Sequence, residues 1–507
     1  EQTYQENRGL KDAINAIRAR SEINGPDGVA LPKLIHRYEQ KRIALVNDLK
    51  SLDAFSLNPE DRRALEVMRR ATESQLDAEP DAIELASAAN TAAPPVDCDY
   101  GPDVLARIGM DALSERMYHC FGAAAGNLVF QGETLDRLTV LARLATTQDG
   151  TQRRGLFLAL EPVWKAVNGD GSRHHSPWRT LIRLSADRFK EHDSSPEAGA
   201  ALLGVNPALV EPWLVSILEA WRDSAAGAEL EPWDFAHAAG AMDRALAPRL
   251  PLATLRPLND RVYRDLGADP VQLGVEYDIE PRSGKDPVAY TDFAARPRLE
   301  PGGAWTRGIY RISASYSSGG AGNLAELLHE TGHGIHIAAI RTRPAFTDWP
   351  DSDTFTEAVA DIVALDLYDP AWQQRYLGTS VPAEDARRAK YAGIVMDTAW
   401  ALFEIRLLRD PALDPNVVWT ELTHDYLQIR PHPEWSWWAV RGQLVHQPGY
   451  MLNYALGAIL IADLRTRTRE LFGDQPWGDK TWYARVSEKL FRFGLERPSR
   501  QVIEEYL

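Results

Sequence analysis

Apolar residues recur at spacings of three and four through most of this chain, and that periodicity restricts it to helices packed on helices. The stretches 31–52, 61–78, 134–147 and 207–225 show it most clearly, each with charged residues between the apolar positions. Each therefore has one face to bury and one to wet. Clusters of Pro and Gly break the pattern at AAPP (92–95), NGDGS (168–172) and RPRLEPGG (296–303). No fixed-period repeat is present, and at 507 residues the chain is long enough to bury a large core.

Charge and hydropathy narrow the function classes. Lys plus Arg number 56 against 72 Asp plus Glu, a net charge of -16, and no basic run could track a phosphate backbone. Nucleic acid is excluded as a partner. The longest largely apolar run, ALGAILIADL (455–464), is too short to cross a bilayer, so no membrane span is expected. The chain starts at Glu1 with no leader. Export followed by leader removal is the expectation, periplasmic or secreted, with a cytoplasmic protein as the alternative. Cys98 and Cys120 are the only two cysteines. A single disulfide and two reduced thiols are both open, the disulfide preferred because sparse, even cysteine usage suits an oxidising compartment. Nothing in the sequence sets the oligomeric state.

One segment departs from helical periodicity. Residues 304–316, AWTRGIYRISASY, roughly alternate polar and apolar and favour a strand or hairpin. SSGGAG follows, and then Asn323 with Glu326 three residues on, the pattern of a helix start with a capping box. HETGH, residues 329–333, thus lies about two turns into a new helix.

Residues four apart on a helix are separated by about 40° around the axis and 6 Å along it, so the imidazoles of His329 and His333 can converge on one ion. Glu330 between them can take a proton from a water that the ion activates. Catalytic zinc needs a third protein ligand. A histidine ten positions after the first is excluded, because residue 339 is Ala and residue 336 is His. The helical stretch 351–367 supplies Glu357 instead, with Asp361 one turn on to receive the second imidazole N–H of a ligand histidine. Phe355, Val359, Ile362 and Val363 mark that helix as largely buried, where unpaired carboxylates are costly. His336 reads as a packed neighbour. A developing oxyanion needs neutral donors, and His446, Tyr450 and Tyr454 stand just before and inside the apolar stretch at 437–464. The two tyrosines are one turn apart and can share a cleft.

HETGH, then 23 residues, then Glu357 followed four positions later by Asp361, resembles the angiotensin-converting enzyme (peptidyl-dipeptidase A) family of gluzincin zinc metallopeptidases. GGAW (302–305), WWAVR (437–441) and the His446, Tyr450, Tyr454 cluster fit the same pattern. Thimet oligopeptidase-like enzymes are the nearest alternative. The resemblance implies a mainly α fold: a two-lobed helical ellipsoid with a deep central groove and a small β-hairpin or short sheet beside the zinc helix. It implies a single domain over 1–507, with sub-lobes at about 1–295, helical and walling the groove, and 296–507, carrying the zinc site. It implies one zinc ion on His329, His333 and Glu357, Glu330 as general base and acid, Tyr454 as oxyanion donor, and His446 as a further donor. Tyr450 would contact the C-terminal end of a short peptide substrate, Gly303 and Ala304 would pair with its backbone, and Arg441 would match a chloride-binding position. Two departures matter. The spacing from His446 to Tyr450 is short for that family, and Leu444 replaces the lysine that grips the substrate carboxylate. Release of C-terminal dipeptides is thus the implied activity, with an oligoendopeptidase or a carboxypeptidase of the same fold as the alternative, and a catalytically silent peptide-binding scaffold as the rival of another class.

Overall fold

Helices form where the periodicity places them, and local chemistry sets their ends. The computed structural model describes residues 1–19, 26–73, 97–224, 227, 229–282, 285 and 288–507. In chain order the elements that build the site are α1 (Gln2–Ala19), α2 (Pro26–Ser51), α3 (Pro59–Glu73), α4 (Met110–Ala125) and α5 (Pro177–Glu191). Then come β1 (Glu276–Asp278), β2 (Tyr290–Ala295), β3 (Arg298–Leu299), β4 (Trp305–Thr306) and β5 (Ile309–Ser313). Last are α6 (Ala321–Ala339), α7 (Asp353–Ala364), α8 (Ala383–Arg409) and α9 (Met451–Phe472). Shorter helices fill most of the remainder.

Two boundaries differ from the sequence reading. The helix expected at 134–147 starts only at Arg137, because Thr134 and Leu135 pair as a strand with Val129 and Leu128 and Asp136 then caps the helix through Thr139. The stretch at 207–225 opens as a 3-10 turn, Pro207–Leu209, before its α-helix. Residues 74–78 of the 61–78 helix, residue 225 and the AAPP break lie outside the described residues.

The fold is mainly α, with two large hydrophobic cores and two small ones that involve α1 and α2. Of the large pair, one gathers Leu113, Phe121, Trp178, Phe403 and Trp438. The other gathers Tyr263, Tyr310, Leu328, Phe355 and Trp482. Two long helices belong to both. In α8, Ala386 joins the second core and Ala392 to Leu408 the first; in α9, Leu456 joins the first and Ile461 the second. The boundary at 295/296 is therefore not where the cores separate, since the chain passes between them at 239–242, 386–392 and 456–461.

The small sheet has strand order β1-β5-β2, with β5 parallel to β1 and antiparallel to β2. The strand expected over 304–316 is split: β4 pairs with β3, and β5 resumes after Gly308, whose missing side chain leaves room for Pro297 and Ile337. The next helix, α6, starts earlier than the capping-box pattern suggested. Gly320, at φ 116°, precedes it, while Asn323 sits inside the first turn and donates its side-chain amide to the carbonyl of Ser318.

α7 is capped by Ser352, which accepts the N–H of Phe355, and nearly every residue from Thr354 to Ala364 is buried. A helix apolar on all sides belongs at the centre of a protein, and α7 packs between α6 and α9. Burial of Phe355 and Val359 alone contributes about 1.5–3 kcal/mol each. Cys98 and Cys120 form a disulfide that ties the segment before α4 to α4 itself. Among the described residues no helix is long and apolar enough to cross a membrane.

Candidate metal centre

The α6 and α7 helices bring three ligand-type groups to one point. His329 Nε2 and His333 Nε2 lie 3.1 Å apart with their rings nearly perpendicular, at 89°. Glu357 Oε2 lies 3.1 Å from the first and 3.6 Å from the second. One ligand atom from each residue falls within 4.8 Å of the others, the single such cluster among the described residues.

The arrangement behind them fixes the chemistry in front. Asp361 Oδ1 lies 2.7 Å from His329 Nδ1. A carboxylate can only accept, so Nδ1 carries the proton and the Nε2 lone pair points at Glu357 and His333. Three ligand-type atoms then face a common centre, where a cation could be held between them. The donor set, two imidazoles and a carboxylate, suits zinc. Electrostatics agree. Burial opposes charge on His329, yet the charges and hydrogen bonds of Asp361 and Glu357 outweigh it and hold the ring well above its ordinary 6.5. Burial likewise opposes ionisation of Glu357, and its contacts with His329 and His333 reverse it, holding this carboxylate below the usual range.

Glu330 is buried at 6% exposure. Thr291, on β2, stands with its hydroxyl 2.7 Å from Glu330 Oε2 and 2.9 Å from the Glu330 carbonyl oxygen. Tyr450 donates to Glu357 Oε1 at 2.7 Å. Tyr454 is 5.5 Å away ring to ring, with the Gln443 amide 3.4 Å from its hydroxyl. Burial, followed by the charge of Glu357, pushes both phenols above their ordinary range, so both remain neutral donors. Buried Glu404 positions this region by accepting the N–H groups of Gly449 and Met451 at 2.8 and 3.1 Å.

Thr291, His329, Glu330, His333, Glu357, Gln443, Tyr450 and Tyr454 line a cleft of about 700 Å³. His446 lines it too, with its ring 5.2 Å from that of Tyr118. Arg441 lies behind Tyr454, 3.1 Å from Asp397 and with its guanidinium over the rings of Trp400 and Tyr454, so any anion there competes with Asp397. His336 is buried without a hydrogen-bond partner, packed against Trp349, Phe355 and Phe491, and burial pushes it down to about 3.

Gly303 and Ala304 are not brought to this cleft. They occupy the exposed turn between β3 and β4, where Gly303 has φ +80° and the Glu300 N–H donates to the Ala304 carbonyl. The strand along the cleft is β2, which supplies Tyr290, Thr291 and Asp292. The sequence reading missed Thr291, Gln443 and Tyr118. Only Thr291 carried any signal, as a threonine within a strand-like YTDF.

No family model matches the sequence, and no curated protein matches it. Solved structures do share its fold. PZ peptidase A, solved with an inhibitor, aligns over 98% of this chain and 92% of its own at 14% identity and a TM-score of 0.56. A structure assigned as an oligoendopeptidase F aligns over 98% and 92% at 15% identity and a TM-score of 0.55. Metallocarboxypeptidase 1 of Trypanosoma cruzi aligns over 100% and 96% at 14% identity and a TM-score of 0.51. The chain thus has the fold of these three proteins along its whole length.

Proposed function

We propose that this chain is a zinc-dependent peptidase acting on short peptides. The observation that carries the proposal is the convergence of His329, His333 and Glu357 beside buried Glu330, with Asp361 fixing one imidazole from behind. Peptidase names among the proteins that share the fold support it. His329, His333 and Glu357 would hold a zinc ion, which when bound would supply a water of lowered pKa and polarise a carbonyl. Glu330 takes the proton from the attacking water and returns it to the leaving amine. Thr291 holds the Glu330 carboxylate on the cleft side. Tyr454 donates to the developing oxyanion, because the Tyr450 hydroxyl is already committed to Glu357. His446 stands where it can donate to bound substrate.

Specificity follows from where the cleft places its cations. Leu444 is fully buried, so that position offers no cation to the terminal carboxylate of a substrate. An oligopeptidase, or a carboxypeptidase that anchors its substrate elsewhere along the cleft, where Arg8, Lys11 and Arg296 stand, is therefore favoured over strict release of C-terminal dipeptides. The Cys98–Cys120 disulfide supports an exported protein.

Zinc content and peptide cleavage, measured for the native protein and Glu330→Gln, test the reading. Retained zinc with cleavage reduced by at least about a hundredfold is expected, since general base catalysis contributes 10²–10⁴. A scaffold would cleave in neither form.

A further inference from the structure

The cleft does not end at His446. Tyr118, His446 and Gln447 line it, and the same three residues line a second cavity of about 680 Å³ between α4 and α5. Its walls are Met110, Leu181, Phe189 and Pro448, and acids and bases, among them Glu115 and Arg188, stand around them. The two spaces meet at these three residues.

The opposite end differs. There Arg8, on α1, pairs with Asp348, and Arg296 pairs with both Asp12 and Asp348. Arg8, Asp12 and Arg296 also line a cavity of about 930 Å³, but charged side chains such as Glu1, Glu6, Arg37 and Lys41 stand in its walls and the ion pairs it shares with the cleft are largely buried, so opening them is costly. Past His446, whose side chain is exposed, the ion pair in the walls, Arg188 with Asp111, is exposed and 3.6 Å apart, and so costs little to open.

We propose that the cavity between α4 and α5 is an outlying substrate subsite. It takes an apolar side chain of the peptide, several residues from the scissile bond, and so selects oligopeptides long enough to span both spaces. The apolar walls set the class of side chain, and the shared residues set the occupant: the same chain that lies in the cleft. This inference rests on the peptidase reading.

Three quenched peptides test it: one of about five residues, and two in which it is lengthened by about four residues (~13 Å of extended chain) bearing Leu or Phe, at either the N- or the C-terminal end. One of the two extensions is expected to lower KM by about tenfold, the gain from burying a large apolar group. Phe189→Ala, which removes a wall, and His119→Trp, which fills the cavity from an exposed position, should erase that gain while leaving the shortest peptide within about twofold of native. Neither residue lines the cleft. The subsite is refuted if neither extension lowers KM, or if the variants alter short and long peptides alike. Native cleavage of the shortest peptide, lost in Glu330→Gln, upholds the peptidase reading whatever the extensions do. If the zinc-loaded native protein cuts no peptide, that reading and the subsite fall together.

Discussion

Replacing Gly332 by alanine should separate the proposed metal ligands without unfolding the protein. A methyl group at this position would stand 2.2 Å from the carbonyl oxygen of Ala360 and 2.8 Å from its carbonyl carbon and Cα. Ordinary contact begins at 3.4 Å, and the obstacle is backbone, so α6 and α7 must part by about 1 Å. His329 and His333 stay with α6, whereas Glu357 and Asp361 move with α7. The 2.7 Å contact from His329 Nδ1 to Asp361 stretches past hydrogen-bond range, and the three ligand atoms no longer share a centre. Losing such an outer partner typically costs ten- to a hundredfold in metal affinity. A misplacement of about 1 Å costs on the order of a hundredfold in rate. Stability changes less, because overpacking costs about 1–3 kcal/mol while alanine regains about 1 kcal/mol of helix propensity. Zinc affinity by chelator competition, kcat/KM and thermal unfolding of the metal-free protein measure the three effects. Zinc affinity within about twofold of native would show that the helices absorb the methyl elsewhere, and the account of how they fix the site would be wrong.

Thr291→Val keeps shape and strand propensity but removes the hydroxyl beside Glu330. It should lower kcat/KM by about tenfold, the low end for a hydrogen bond to a charged group, with zinc content unchanged; equal activity would deny the positioning role. Burial raises Glu404 from its ordinary 4.5 to about 8, against the lowering effect of the Gly449 and Met451 N–H groups. A raised acid contributes stability that is complete below pH 4.5 and is lost as pH rises through about 8, here on the order of 5 kcal/mol. Urea unfolding of native protein and Glu404→Gln at several pH values should therefore show a decline between these limits that only the native protein has; parallel profiles would refute it.

What the sequence showed follows from how far each contact lies along the chain. His329 and His333 share a helix face, so their convergence needs only helical geometry. Glu357 and Asp361 were legible because α7 is apolar on every other side, which leaves its carboxylates a reason to be there. Contacts that depend on strand register were not legible. Thr291 meets Glu330 only because β2 pairs with β5 in one particular register, Thr291 opposite Ile312, and nothing local encodes that pairing.

Gly303 and Ala304 were misplaced for a related reason. The alternation over 304–316 reads as a strand or hairpin, but Gly308 and the pairing of β4 with β3 divide it, and the first half lies outside the cleft. The same division leaves β2 along the cleft, with Tyr290, Thr291 and Asp292 facing it. Strand β2 therefore carries both the backbone that borders the cleft and the threonine that holds Glu330, so displacement of β2 would disturb the two together.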